Sequence, residues 1–251
     1  MIKPLLAFGS GHLRGKRVLV TGGTTGIGRA TVALLAQHGA RVVTFGRHEK
    51  ELMDALRYSG QFGEVHGLTA DASEAADVER VYQAVDTKLA GLDILVACAA
   101  LGAQPIHEMS DHDWRYVIET NLVGYLACTR AAIERLRHAG GGQIVLVGSI
   151  SAEIKAKGES VYAATKAGIS AFAETLRKEV AEENIRVSVI EPGSTGSDMQ
   201  ECDPPKQRDL IGQHRMLRAE QVAEALLFVL TREDNCDIVS LRIEPRLQKG
   251  G

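Results

Sequence analysis

Residues 17–28 read RVLVTGGTTGIG. A short β-branched run, RVLVT, breaks into a glycine-rich turn, after which apolar residues recur at helical spacing as far as Gly39. The run lacks polar alternation, so it reads as a strand buried on both faces, as in a parallel sheet. Gly39 falls where a helix ends on a left-handed residue. Strand, tight turn and helix in that order gather backbone amides at a helix N-terminus, which suits a pyrophosphate.

The same punctuation continues outward. RVVTF (41–45) reads as a second strand, followed by a helix after His48, a strand near 64–70 and a helix from Ser73 to about Leu89. LDILVAC (92–98) is the fourth strand. Ser110 and Asp113 make a capping-box-like start to a long helix through Arg137, and QIVLVGS (143–149) is the fifth strand. A helix over 160–183, a strand at 185–191 (IRVSVIE), a helix near 219–231 and a last strand, DIVSLRI (237–243), complete the pattern. It predicts an α/β fold: a doubly wound Rossmann sheet of seven parallel strands with helices on both faces. Right-handed crossovers then put the ligand crevice at the carboxyl ends of the strands. One domain is expected over 1–251, with 1–15 as an N-terminal extension and the aperiodic 192–217 as a loop beside the substrate.

Composition narrows the function classes. The 251 residues, 45% hydrophobic, can bury a sizeable core, and 29 basic against 32 acidic residues give a net charge of −3. No basic block resembles a nucleic-acid footprint, so no nucleic-acid partner is expected. The four cysteines, at 98, 128, 202 and 236, lack the spacing of a zinc site or the density of a disulfide scaffold, and no metal is expected. The opening apolar stretch spans about five residues, short of a signal-peptide core of roughly 7–15. With no candidate membrane span, the expected location is cytoplasmic.

Thr21, Gly22, Gly26 and Gly28 form T-G-x-x-x-G-x-G, Tyr162 and Lys166 form Y-x-x-x-K, and Ser149 precedes the tyrosine by thirteen residues. Asp71 follows the third strand, Asn121 lies in ETNLVG, and Pro192-Gly193 follows the sixth strand. In these motifs and their order the chain resembles the compact branch of the short-chain dehydrogenase/reductase family over nearly its whole length. The resemblance implies an NAD(P)(H)-dependent oxidoreductase interconverting an alcohol and a carbonyl on a small substrate. Its catalytic residues would be Ser149, Tyr162, Lys166 and Asn121. Its cofactor residues would be Gly22, Thr24, Thr25, Gly26, Ile27, Gly28, Arg47, Asp71, Ala72 and Ala99, together with Tyr162, Lys166, Pro192, Gly193 and Thr195. It further implies a homodimer or homotetramer joined through the helices over 110–137 and 160–183.

The residues support that chemistry. Four positions apart on a helix, Tyr162 and Lys166 emerge on one face. A nearby ammonium and a cationic nicotinamide would lower the pKa of a phenol from about 10, letting Tyr162 exchange protons. Ser149 can donate to a substrate oxygen as charge builds on it. In the family Lys166 also bonds the nicotinamide ribose, and the Asn121 backbone binds a water that links to the lysine. NADP(H) is favoured over NAD(H), because TFGRHEK puts Gly46 and then Arg47 where an NAD site has an acid. Arg47 can pair with a 2′-phosphate, assisted by Thr24; the blander reading makes it a solvated residue opening the next helix.

Two segments depart from the family. ACAA (97–100) stands where N-N-A-G is usual, and Ala100 is expected to narrow the approach of the backbone to the cofactor. This substitution motivates an alternative, a dinucleotide-binding sensor that keeps the fold without turnover. The ending LRIEPRLQKGG lacks the D-G-G of the acyl-carrier-protein reductases and is more similar to the hydroxy-acid and serine dehydrogenases. ISAEIKAKGES and the loop after Pro192 are polar with few bulky aromatics, which disfavours a large steroid-like substrate. Lys155 and Lys157 would attract an acidic substrate, but Glu153 and Glu159 flank them.

Overall fold

In a computed structural model, which describes residues 13–200 and 202–248, strands and helices alternate as the sequence predicts. The strands are β1 Arg17–Thr21, β2 Arg41–Gly46, β3 Val65–Thr69, β4 Ile94–Ala97, β5 Gly142–Val147, β6 Ile185–Pro192 and β7 Ser240–Ile243. They form one parallel sheet in the order β3-β2-β1-β4-β5-β6-β7. From β1 the chain adds strands outward to β3 on one side and then returns to add β4 onward on the other, and this switch in strand order between β1 and β4 opens a crevice at their carboxyl ends.

Each apolar strand feeds two cores because its side chains alternate. Leu19, Val43, Leu95 and Ile144 pack on one face with Val81 and Val85 of α3 (Ala75–Leu89), Cys128 of α5 (Gly124–His138) and Ile169 of α6 (Ser160–Glu179). Val18, Val42, Ile94 and Val145 pack on the other with Val32 and Leu35 of α1 (Gly26–Gln37) and Val222 and Leu226 of α8 (Ala219–Leu230). Both faces of a central strand are therefore buried, which is why VLV at 18–20 carries no alternation.

The remaining helices are α2 (Glu49–Ser59), α4 (Asp111–Ile118) and α7 (Pro204–Gly212). Helix α1 stops at its C-cap His38, with Gly39 left-handed at φ +81°, as its position predicts. Ser110 caps α4 by accepting from the Asp113 amide at 3.1 Å, and its hydroxyl donates to the Asp113 carboxylate at 2.7 Å.

Three expectations change. The helix predicted over 110–137 is interrupted by a π-helical turn at Glu119–Val123, which separates α4 from α5 and contains Asn121. The helix over 160–183 ends at Glu179 and closes with a 3₁₀ turn at Ala181–Glu183. The segment 192–217 is not all loop, because Asp203 caps α7 by accepting from the Lys206 amide at 3.0 Å and prolines occupy its first positions. Most of the expected extension, 1–12, lies outside the described residues, whereas Leu13 is 1% exposed in the α1–α8 core. Among the described residues no helix is long and apolar enough to cross a membrane.

Candidate active site

A cleft of about 710 Å³ opens at the carboxyl ends of the strands. Its floor is the β1–α1 turn. Thr21 fixes this turn against the end of β4, its Oγ1 accepting from the Cys98 amide at 2.9 Å and the Ala99 amide at 3.0 Å. The backbones are then so close that a Cβ on Gly22, whose φ is +66°, would stand 2.6 Å from Ala99 Cα. A Cβ on Gly28 would stand 2.2 Å from the Gly22 carbonyl oxygen, so glycine at that position lets α1 start directly against the turn. Ala100 lines the cleft beside this turn. Among the described residues its φ is not one of the left-handed ones, so alanine is accommodated without strain.

At the other end of the cleft Ser149 ends the β5 segment and α6 presents Tyr162 and Lys166. Lys166 is 1% exposed, and its ammonium donates to the Val147 carbonyl at 2.9 Å. It lies 5.3 Å from the centre of the Tyr125 ring and 5.5 Å from that of Tyr162. Tyr125 donates its hydroxyl to the same Val147 carbonyl at 3.1 Å. Burial lowers the Lys166 pKa to about 8, which leaves it largely protonated at neutral pH.

Burial also pushes the Tyr162 phenol up to about 12, and a hydrogen bond from Ser149 pulls it part of the way back. The downward pull anticipated from Lys166 is not among the causes of that shift. The Cys98 thiol is likewise raised to about 12 by burial, against the charge of Lys166, and it stays a neutral part of the wall.

Asn121 is fully buried and does not line the cleft. Its Oδ1 accepts from the Leu101 amide at 2.7 Å and its Nδ2 donates to the Leu101 carbonyl at 2.8 Å. This clamp fixes the wall that follows β4, and the π-helical turn around Asn121 alters the regular helical bonding of its backbone.

Every other expected catalytic or cofactor residue lines this one cleft: Ser149, Tyr162, Lys166, and all the expected cofactor residues from Gly22 to Thr195. Lys155 does not line it; its ammonium is tied to the Ala152 and Glu153 carbonyls of its own turn at 3.0 and 3.2 Å. Lys157 is also outside the lining.

Sequence reasoning missed other lining groups. Half-buried Glu51, on the first turn of α2, brings a carboxylate to the end of the cleft where Arg47 lies, which the strand-end reading had treated as free of acids. Thr120 lines the cleft with a buried Oγ1 that makes no hydrogen bond. Residues 197–200 reach across from the segment after β6, and a Cβ on Gly26 would stand 2.9 Å from Ser197 Cβ. Among the described residues no cluster of His, Cys, Asp and Glu is arranged to hold a metal ion.

A family profile described as short chain dehydrogenase matches residues 16–208. A 3-oxoacyl-acyl-carrier-protein reductase of Chlamydia pneumoniae is 39% identical over 189 residues, covering 74% of this chain and 76% of the relative. That is the branch from which the C-terminal ending pointed away. A short chain dehydrogenase of Burkholderia cenocepacia, solved with NADP, superposes with a TM-score of 0.82 at 27% identity, covering 93% of this chain and 98% of the other. L-Sorbose reductase of Gluconobacter frateurii, solved with NADPH and L-sorbose, superposes with a TM-score of 0.84 at 26% identity, covering 94% and 97%.

Proposed function

The chain belongs to the short-chain dehydrogenase family, and from that premise we propose that it interconverts an alcohol and a carbonyl on a small polar substrate with NADP(H). The observation that carries this reading is the convergence of Ser149, Tyr162 and Lys166 with the glycine turn in one cleft.

The residues present fit a dinucleotide. Gly22 and Gly28 keep the turn at backbone contact, the N-terminus of α1 faces the cleft, and Thr120 Oγ1 is a buried polar atom in the wall without a partner. Gly22, Thr24, Thr25, Gly26, Ile27 and Gly28 would hold the pyrophosphate side, and Asp71, Ala72 and Ala99 the adenosine and its ribose. Pro192, Gly193 and Thr195 would bound the nicotinamide side. When bound, the dinucleotide supplies or accepts the hydride.

The chain's own groups handle the proton and the charge. Tyr162 gives its hydroxyl proton to the substrate oxygen in reduction and takes it back in oxidation. Ser149 donates to that oxygen, favouring the form in which it carries charge. The Lys166 ammonium, tied to the Val147 carbonyl, keeps a positive charge 5.5 Å from the centre of the Tyr162 ring, and from there it would act on the bound dinucleotide and substrate. Asn121 holds the wall beside them through Leu101. Residues 192–217 bound the substrate side with polar groups, Ser197, Asp198 and Gln200 among them.

Arg47 at the end of β2, and the NADP and NADPH carried by the two solved relatives, support the phosphorylated cofactor. Glu51 at the same end supports NAD(H) as the second reading, because a carboxylate there can accept from a ribose hydroxyl. Exposed Val123 and Leu126, at the junction of the π-helical turn with α5, support assembly as a homodimer or homotetramer.

The test is consumption of NADPH and of NADH over a panel of small carbonyl compounds. Turnover with preference for NADPH is the expected result. Preference for NADH transfers the reading to Glu51, and tight cofactor binding without turnover of any carbonyl replaces the enzyme with a dinucleotide sensor.

A further inference from the structure

Arg47 does not simply extend into solvent. Its Nη1 donates to the Tyr116 hydroxyl at 2.7 Å, and its guanidinium carbon lies 5.5 Å from the centre of the Tyr116 ring. Among the described residues no carboxylate stands within ion-pair distance of it. Tyr116 projects from α4, sixty-nine residues along the chain from Arg47. Its hydroxyl donates in turn to Asp71 Oδ2. The other carboxylate oxygen of Asp71 accepts from the Ser73 amide at 2.9 Å and the Ser73 hydroxyl at 2.8 Å. The Tyr116 ring lies against His112, with centroids 6.1 Å apart and planes 20° apart. Arg47 and Asp71 line the dinucleotide cleft, whereas Tyr116 stands behind them.

This arrangement acts on both residues at once. By accepting one donor and offering its ring face, Tyr116 restricts a long, exposed side chain while leaving the rest of its donor fork free. By donating to Asp71 it occupies the oxygen that Ser73 leaves open. Its phenol is raised by burial and by the Asp71 carboxylate, so it remains the protonated bridge.

We propose that Tyr116 is a positioning residue for cofactor choice, holding the Arg47 guanidinium at the rim of the cleft to receive the 2′-phosphate monoester that distinguishes NADP(H) from NAD(H). The inference rests on the NADP(H) reading given above. Glu51 and His48 line the same rim, and neither is held by Tyr116, so the effect is carried through Arg47.

The experiment is direct binding of NADPH and NADH, by fluorescence titration, to wild type, Arg47→Ala, Tyr116→Phe and the double variant. Tyr116→Phe keeps the ring against His112 and removes only the bridging oxygen; its melting midpoint verifies folding. A single guanidinium–phosphate contact predicts that Arg47→Ala lowers the NADPH preference about 10–100-fold. Tyr116→Phe is expected to lower it about 5–10-fold by weakening NADPH while leaving NADH within about twofold, as loss of one hydrogen bond of ordinary net strength would, because the guanidinium itself remains. Because both act through one group, the double variant should be no worse than Arg47→Ala. If Arg47→Ala leaves the preference unchanged, the phosphate reading of Arg47 falls and this inference falls with it. If Arg47→Ala lowers the preference but Tyr116→Phe does not, weakens both cofactors alike, or adds fully in the double variant, the Tyr116 inference alone is overturned.

Discussion

Replacing Gly22 with alanine tests the geometry of the cleft floor. The new methyl would stand 2.6 Å from Ala99 Cα and 2.9 Å from Ala99 N, where ordinary contact begins near 3.4 Å. Ala99 cannot yield freely, because Thr21 Oγ1 holds the Cys98 and Ala99 amides at 2.9 and 3.0 Å. A left-handed alanine costs roughly 1–2 kcal/mol, and overpacking against fixed backbone adds roughly 1–3 kcal/mol, for a total of about 2–5 kcal/mol. For a chain of this size that corresponds to a fall of about 4–20 °C in Tm. Thermal melts of Gly22→Ala beside Gly212→Ala make the comparison internal, because a Cβ on Gly212, at the end of α7, meets nothing within 4 Å. The second variant should be neutral or gain up to about 1 kcal/mol. A Gly22→Ala protein melting within about 1 °C of wild type would refute the close approach, since neither cost in the sum could then be present.

Asn121→Ala should destabilise by about 1–3 kcal/mol in urea titration, because it leaves the half-buried Leu101 amide and carbonyl without their partner. Faster hydrogen exchange at the Leu101 amide would locate the damage. Burial gives Lys166 a folded pKa of about 8 against an ordinary 10.5, so between these values the unfolded chain holds a proton that the folded chain does not. The free energy of unfolding attributable to Lys166 should therefore rise as pH rises from 8. The urea stability of wild type minus that of Lys166→Met, followed from pH 7.5 to about 9.5, should become more positive as pH rises, and a flat difference contradicts the burial. The limit lies below the ordinary tyrosine pKa of 10.0, so the upward shift of Tyr162, which would lower stability as pH rises further, does not interfere.

Much of this was legible in the sequence because its causes are local. Val18, Leu19 and Val20 are each wholly buried, so a strand committed to two cores shows itself as an unbroken apolar run. Gly22 and Gly28 are dictated by backbone contacts within the turn or across a neighbouring strand, and these leave a fixed spacing. Tyr162 and Lys166 share a face by helical period alone. The π-helical turn contains Asn121, whose side chain bonds the Leu101 backbone twenty residues away, and such a distant pairing leaves no periodic mark. Helix α7 was signalled by Asp203-Pro204-Pro205, but with no buried residue it has little apolar period to accompany its cap. The Arg47–Tyr116–Asp71 chain joins residues forty-five and sixty-nine positions apart, and nothing around Tyr116 announces it.

The central claim is that Tyr162 carries the proton. Its most direct test is NADPH oxidation by Tyr162→Phe at saturating concentrations of a carbonyl that the wild type reduces, with NADPH affinity measured on the same preparation. Loss of the acid predicts that kcat falls by at least about 100-fold while the NADPH Kd stays within about twofold, because the ring and its packing remain. A kcat within about tenfold of wild type, with the same affinity, would contradict the assignment and move the proton to another group in the cleft.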